Sequence, residues 1–158
     1  MKTIAAAMTV LVACTMAWGR SATDSHADGW QLALTCPAEV KKGKTCKMQV
    51  RLSFIPKGQR RNTVATGSEA TVVLTIADKD TFSRDDVVLT RTYRFAAGQS
   101  IEFTERSLCG YLKKDLGRKS EIYAKVTIRA SLKGVGKLPL IDYKATVKTP
   151  TIKVKTVK

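Results

Sequence analysis

Histidine is almost missing from this chain: 158 residues hold one, His26. Nucleophilic catalysis needs a base held beside the nucleophile. A single imidazole in a polar stretch near the N-terminus therefore leaves no Ser-His-Asp or Cys-His arrangement, and nothing marks a Ser-Lys dyad. Cysteine is sparse as well, with four residues and no Cys-x-x-Cys, so the usual zinc ligand sets are absent. Acids number 13 against 28 lysines and arginines. Aromatics make up 6%, and none interrupts the lysines from Lys144 to Lys158, which disfavours sequence-specific nucleic-acid binding. Long runs of helix formers are scarce, and one long apolar run exists, at the N-terminus. These shortages argue against an enzyme, and no cofactor is expected.

The N-terminal run has the layout of an export signal. Met1-Lys2 is a minimal positive region, Thr3 to Gly19 is uncharged and mostly apolar, and the polar stretch Arg20 to Gly29 follows. Within it, Leu11-Val12-Ala13-Cys14 resembles a bacterial lipobox, in which Cys14 would be lipidated and become the new N-terminus. The alternative is ordinary cleavage after Ala17-Trp18-Gly19. Both readings place the chain outside the cytosol, in a bacterial cell envelope or secreted. Residues 20–29 then read as a polar tether and 30–158 as one domain, long enough to bury a core.

An oxidising compartment bears on the remaining cysteines. Cys36 and Cys46 flank the loop Pro37 to Thr45, which contains Gly43 and three lysines. If strands lead into and out of that loop, the sulfurs face each other across a hairpin neck, and a disulfide there contributes roughly 2–3 kcal/mol. Cys109 is left over, and burial as a small hydrophobe is its expected state, an intermolecular bond the alternative.

Alternation of apolar and polar residues dominates the rest. Trp30, Leu32, Leu34 and Cys36 share one face of a strand. Cys46, Met48, Val50, Leu52 and Phe54 share one face of the next. Val72, Leu74 and Ile76 mark a third, and Val87, Leu89, Tyr93 and Phe95 a fourth on which Arg91 is the exception. Ile101 and Phe103 form a short fifth. From Ile122 to Lys133 the pattern is unbroken, with Tyr123, Lys125, Thr127 and Arg129 facing outward. Ile141 to Val147 and Thr151 to Val157 complete the set. One-sided polarity of this kind belongs to antiparallel sheets with one solvated face, and about seven to eight such strands argue for an all-β sandwich. One segment breaks the period: Leu108, Leu112 and Leu116 recur every four residues before Gly117, which predicts a short helix over 105–116.

The turn Pro37-Ala38-Glu39-Val40-Lys41-Lys42-Gly43-Lys44, running into the Cys46 strand, resembles the opening of bacterial immunoglobulin-like modules, where it joins the first two strands. Ala96-Ala97-Gly98-Gln99-Ser100 is similar to the mid-domain turn of CARDB-type adhesion modules. The resemblance implies an immunoglobulin-like sandwich that binds or presents, with no shared catalytic residues to carry over.

A net charge of +15 points to an anionic surface, glycan or protein partner; lipid headgroups, envelope polymers, sulfated glycans and nucleic acid all attract such a surface at long range. The candidate anion-binding residues are Lys57, Arg60 and Arg61 in the long loop Pro56 to Glu69, and Lys144, Lys148, Lys153, Lys155 and Lys158 near the C-terminus, joined by Lys125 and Arg129 if the last strands pair. Lysines on an edge strand also prevent edge-to-edge aggregation, so protection is the competing account. Asp78, Asp80, Asp85 and Asp86 are the only acidic cluster with a claim to a cation. The EF-hand spacing fails, since Ser83 stands where Gly is needed and Leu89 where Glu is needed. A solvated turn with Lys79 and Arg84 as partners is the simpler reading. The expected protein is thus an exported, lipid-anchored envelope module that recognises an anionic surface or partner; the alternatives are a structural module that pairs with another protein through a sheet edge and a metal-binding envelope lipoprotein.

Overall fold

A computed structural model describes residues 19–54, 69–80, 84–96, 101–112, 118–132 and 141–158. These residues form ten strands in two sheets, with no helix among them. The first sheet runs in the spatial order β1 (Arg20–Ser25), β2 (Trp30–Cys36), β4 (Thr45–Phe54), β7 (Phe103–Tyr111). The second runs β3 (Glu39–Lys41), β10 (Ile152–Val157), β8 (Lys119–Leu132), β5 (Glu69–Asp78), β6 (Asp86–Phe95), and β9 (Ile141–Lys148) also pairs with β8. Every pairing is antiparallel except that of β3 with β10.

The period-2 pattern builds the core directly. Trp30, Leu32 and Leu34 of β2, with Met48, Val50 and Leu52 of β4, meet Val72, Leu74 and Ile76 of β5 and Ile122, Val126 and Ile128 of β8, all buried. Each such side chain contributes roughly 1.5–3 kcal/mol over its exposed state. Trp30 also ties the two sheets together. Its ring centroid lies 4.7 Å from that of Phe54, and its indole N–H donates to the Tyr143 hydroxyl on β9 at 2.9 Å. That hydroxyl donates in turn to Asp28 Oδ2 at 2.8 Å.

Four expectations are corrected here. The Cys36–Cys46 disulfide is not formed: both are buried free thiols. The chain between them does not make a hairpin neck, because β3 leaves the first sheet to pair with β10 before β4 returns. Continuing the β2–β4 register from Thr35↔Gln49 sets Cys36 opposite Met48, so the two thiols are diagonal neighbours. Burial pushes the Cys36 thiol well up, with Cys46 adding to the effect. Burial, then Cys109, raises Cys46 to about 11, so both are held protonated. Second, Cys109 is exposed on the outward side of β7.

Third, the predicted helix is strand from Glu105 to Tyr111, paired along β4; of its remainder, 113–116 lie outside the described residues. A spacing of four residues is two full periods of a strand, so Leu108 and Leu112 satisfy either structure, and both are buried. The strand was further disguised by a bulge. Met48 opposes Leu108 and Val50 opposes Glu105, so Arg106 and Ser107 together face Gln49, and Ser107 takes φ +83°. The extra residue shifts the inward set from Phe103 and Glu105 to Leu108 and Gly110. Fourth, the stretch read as a tether contains β1, laid antiparallel along β2 from Arg20↔Cys36 to Ser25↔Gln31. Gly29, at φ +104°, closes the hairpin, with its N–H on His26 O at 2.9 Å. Residues 1–18, including Cys14, lie outside the described residues.

A second bulge lies in β6, where Ile76↔Leu89 is followed by Ala77↔Val87 and leaves Val88 unpaired. Val87 is thereby turned outward, 61% exposed, against the expectation that it faced in. Val88 instead faces Gly110 across the sandwich, where a Cβ on the glycine would collide with Val88 Cγ1.

Candidate functional site

The outer face of the second sheet is where the basic residues gather. Outward positions on β8 are the odd numbers: Lys119, Glu121, Tyr123, Lys125, Thr127 and Arg129. Cross-strand pairing fixes what stands beside them. Lys125 is directly opposite Lys148, Thr127 opposite Thr146, and Arg129 opposite Lys144, all with β9. On the other side Arg129 faces Thr71 of β5, which faces Arg94 of β6. One row across the sheet therefore reads Lys144, Arg129, Thr71, Arg94. A second reads Lys148, Lys125, Thr75, Thr90, and Thr146, Thr127, Val73 and Thr92 lie between them. With ~3.3 Å per residue, the two basic rows are about 13 Å apart.

Lys153 and Lys155 join the same face in an unexpected way. β9 and β10 do not pair with each other; they follow one another along the same side of β8, and the register slips by one residue between them. The slip at 149–151 moves the outward set from even to odd numbers, so Lys144, Lys148, Lys153 and Lys155 share one face. Thr149 bridges the gap: its N–H donates to Ala124 O at 2.9 Å, and its Oγ1 accepts the Ala124 N–H at 3.0 Å.

These cations are not equivalent. Lys153 Nζ lies 3.7 Å from Glu121 Oε1, and Lys155 stands opposite Glu39 on β3. Lys148 Nζ sits 3.8 Å from the centre of the Tyr123 ring. Lys144, Arg129, Lys125 and Arg94 have no ion pair among the described residues. The acids Glu39, Glu69 and Glu121 are confined to the margins of this face. Lys158 follows β10 as its last residue, and Lys57, Arg60 and Arg61 lie outside the described residues.

The aspartates of the 78–86 region are not brought together as a cation site: no group of three His, Cys, Asp or Glu side chains is placed to hold a metal among the described residues. Two of them, Asp78 and Asp85, tie strands and turns together. Asp78 is buried and accepts the Glu121 N–H at 2.8 Å. Asp85 accepts the Tyr123 hydroxyl at 2.7 Å through Oδ2 and the Asp80 N–H at 3.2 Å through Oδ1. The Tyr123 hydrogen bond, then that from Asp80, holds the Asp85 carboxyl below the ordinary range, and Lys148 and Lys79 add to this. Tyr123 moves the other way, to about 12, by burial first and then by its bond to Asp85.

Sequence reading missed Arg94 as part of this face. Its parity on β6 was legible, opposite that of Tyr93 and Phe95, but nothing in the sequence told which strand β6 pairs with. Compared with known proteins, the chain matches no family model and no curated protein.

Proposed function

We propose that this is a non-enzymatic recognition module, exported and held at the cell envelope by a lipid on Cys14, that binds an anionic surface or polymer through the outer face of its second sheet. The observation that carries the reading is the placement of like charges directly opposite one another, Lys125 with Lys148 and Arg129 with Lys144. Such pairs destabilise a sheet, by roughly 0.2–1 kcal/mol each on the scale of cross-strand effects. Protection of an edge explains lysines on β9, which pairs with β8 alone among the described strands. It does not explain Lys125 and Arg129 on β8, an interior strand.

The topology supports an immunoglobulin-like form of the sandwich. Lettered in chain order, β2, β4 and β7 stand as A, B and E in one sheet, and β5, β8 and the broken strand β9–β10 as C, F and G in the other. The test is retention on immobilised heparin. Lys144→Glu with Lys148→Glu should elute at clearly lower salt, and Lys153→Glu with Lys155→Glu should have the smaller effect, because Glu121 already pairs with Lys153. Unchanged elution of the first pair would sink the reading.

The second reading is pairing with another protein through a sheet edge. It is favoured by β1, an outer strand that after Arg20 carries only small residues and Asp24, without lysine or proline. It predicts a partner lost on placing proline at Thr23 and indifferent to the lysine reversals.

A further inference from the structure

Where the row Lys144, Arg129, Thr71, Arg94 reaches the end of the sheet, the surface drops into a groove of about 770 Å³, within the size range of ligand sites. Its lining combines these cations and the Thr71 hydroxyl with Phe95 and a single acid, Glu69. Arg129 and Arg94 are separated by β5 alone, so their Cα atoms are two strand spacings apart, about 10 Å, with Thr71 between them. Two guanidiniums at that separation can converge on one oxyanion above the threonine hydroxyl. Arginine's planar fork binds such a group through paired N–H donors, which a lysine point charge does not reproduce.

The surroundings select the carrier of that oxyanion. Single-stranded nucleic acid needs free aromatic platforms for its bases; Tyr123 of the outer face is buried under Lys148, and the two aromatics that line the groove, Phe95 and Tyr143, are partly buried and packed against the core. A membrane surface calls for apolar anchors, and the exposed large apolar residues described are only Val87 and Tyr111, the latter on the other sheet. What the face does offer is hydroxyls: a row of Thr146, Thr127 and Thr92, interrupted by Val73, separates its charged rows, and Glu69 stands at the groove as an acceptor. We propose that the groove is a subsite for a sulfate, phosphate or carboxylate group on a saccharide chain. Arg94 and Arg129 clasp the anionic group, Lys144 adds charge, and Glu69 accepts a neighbouring sugar hydroxyl. The inference rests on the outer face being the anion-binding surface, and it adds a geometric requirement that charge alone does not impose.

The test measures binding of the full chain to a heparin-derived hexasaccharide and to a polyphosphate of equal charge, by calorimetry. Arg94→Lys with Arg129→Lys keeps the net charge and should weaken hexasaccharide binding about tenfold, the scale of one charged hydrogen bond. Arg94→Lys alone, on the exposed strand β6, should show part of the loss and serves if the double variant does not fold. Lys125→Gln with Lys148→Gln, away from the groove, should cost less and change mainly the salt dependence. If the arginine variants bind as wild type while the glutamine pair weakens binding, the clasp is wrong and the broader anion-binding reading stands. If neither set matters, both fail. Tighter binding of polyphosphate than of the hexasaccharide would overturn the saccharide assignment.

Discussion

Thr149 and Thr156 are both buried, and their hydroxyls meet opposite fates. That of Thr149 accepts the Ala124 N–H in the gap between β9 and β10; that of Thr156 has no hydrogen-bond partner among the described residues. The same nearly isosteric change should therefore have opposite signs. Thr149→Val strands a buried donor and should destabilise by about 1–3 kcal/mol, whereas Thr156→Val removes an unsatisfied oxygen and should be neutral or stabilising by up to about 1 kcal/mol. Urea unfolding midpoints of the two variants check this. The thiols make a second contrast. Cys36 and Cys46 are buried and held protonated, while Cys109 is exposed, so among these three thiols iodoacetamide applied to the folded protein should label only Cys109 in peptide maps. Labelling of all three at equal rates would contradict the packing. The Asp85–Tyr123 bond sets a third expectation. Asp85 has its folded value lowered, so its contribution is present above the ordinary carboxylate range and is lost as pH falls through the folded value. Tyr123 has its folded value raised to about 12, so its contribution is complete below about 10 and is lost as pH rises toward 12. Asp85→Asn should thus be less stable than wild type at pH 7, with the difference shrinking below about pH 4.

Among the elements, the strands that bury a regular face were legible, and those that deviate were not. β2, β4, β5 and β8 could be read because every second residue is apolar and the core takes all of them. β7 was hidden because its leucines repeat at a spacing common to helix and strand, and its bulge at Ser107 changes the inward parity midway. β1 was hidden because only Ala22 packs against the core, so it carries no apolar alternation; backbone bonding to β2 holds it. Its one sequence signal was Asp28-Gly29, a hairpin turn pair directly before an alternating strand. The dependence on that turn can be tested. Gly29→Ala forces a side chain into the left-handed region and should cost about 1 kcal/mol or more. Hydrogen exchange should then quicken at the amides joining β1 to β2 and leave those between β2 and β4 protected. The charged face was half legible. Parity along each strand told which lysines point outward, but the order of strands decides which of them become neighbours, and that order is set by contacts far apart in sequence.

At the scale of the whole molecule the two outer faces differ in charge. The second sheet presents Lys119, Lys125, Arg129, Lys144, Lys148 and Arg94 with acids at its margins; on the first sheet the outward residues of β1 and β2 are Ser, Thr, Gln and Ala, and the exposed cations of the other two strands are fewer, Lys47 and Arg51 on β4 and Arg106 on β7. An asymmetric charge distribution orients a protein on an anionic surface as well as attracting it. Orientation also follows from β1. Its first residue, Arg20, donates through Nη1 to Lys153 O at 3.1 Å, and Lys153 lies opposite Glu121. Arg129, in the groove, is eight residues further along β8, about 26 Å away at strand rise. With β1 docked, only Thr15 to Gly19 remain between Cys14 and the sandwich, a leash of about 17 Å at full extension. A lipid on Cys14 would thus stand the domain on its Arg20 end, the groove held up like a lamp on a short post, facing what lies beyond the bilayer.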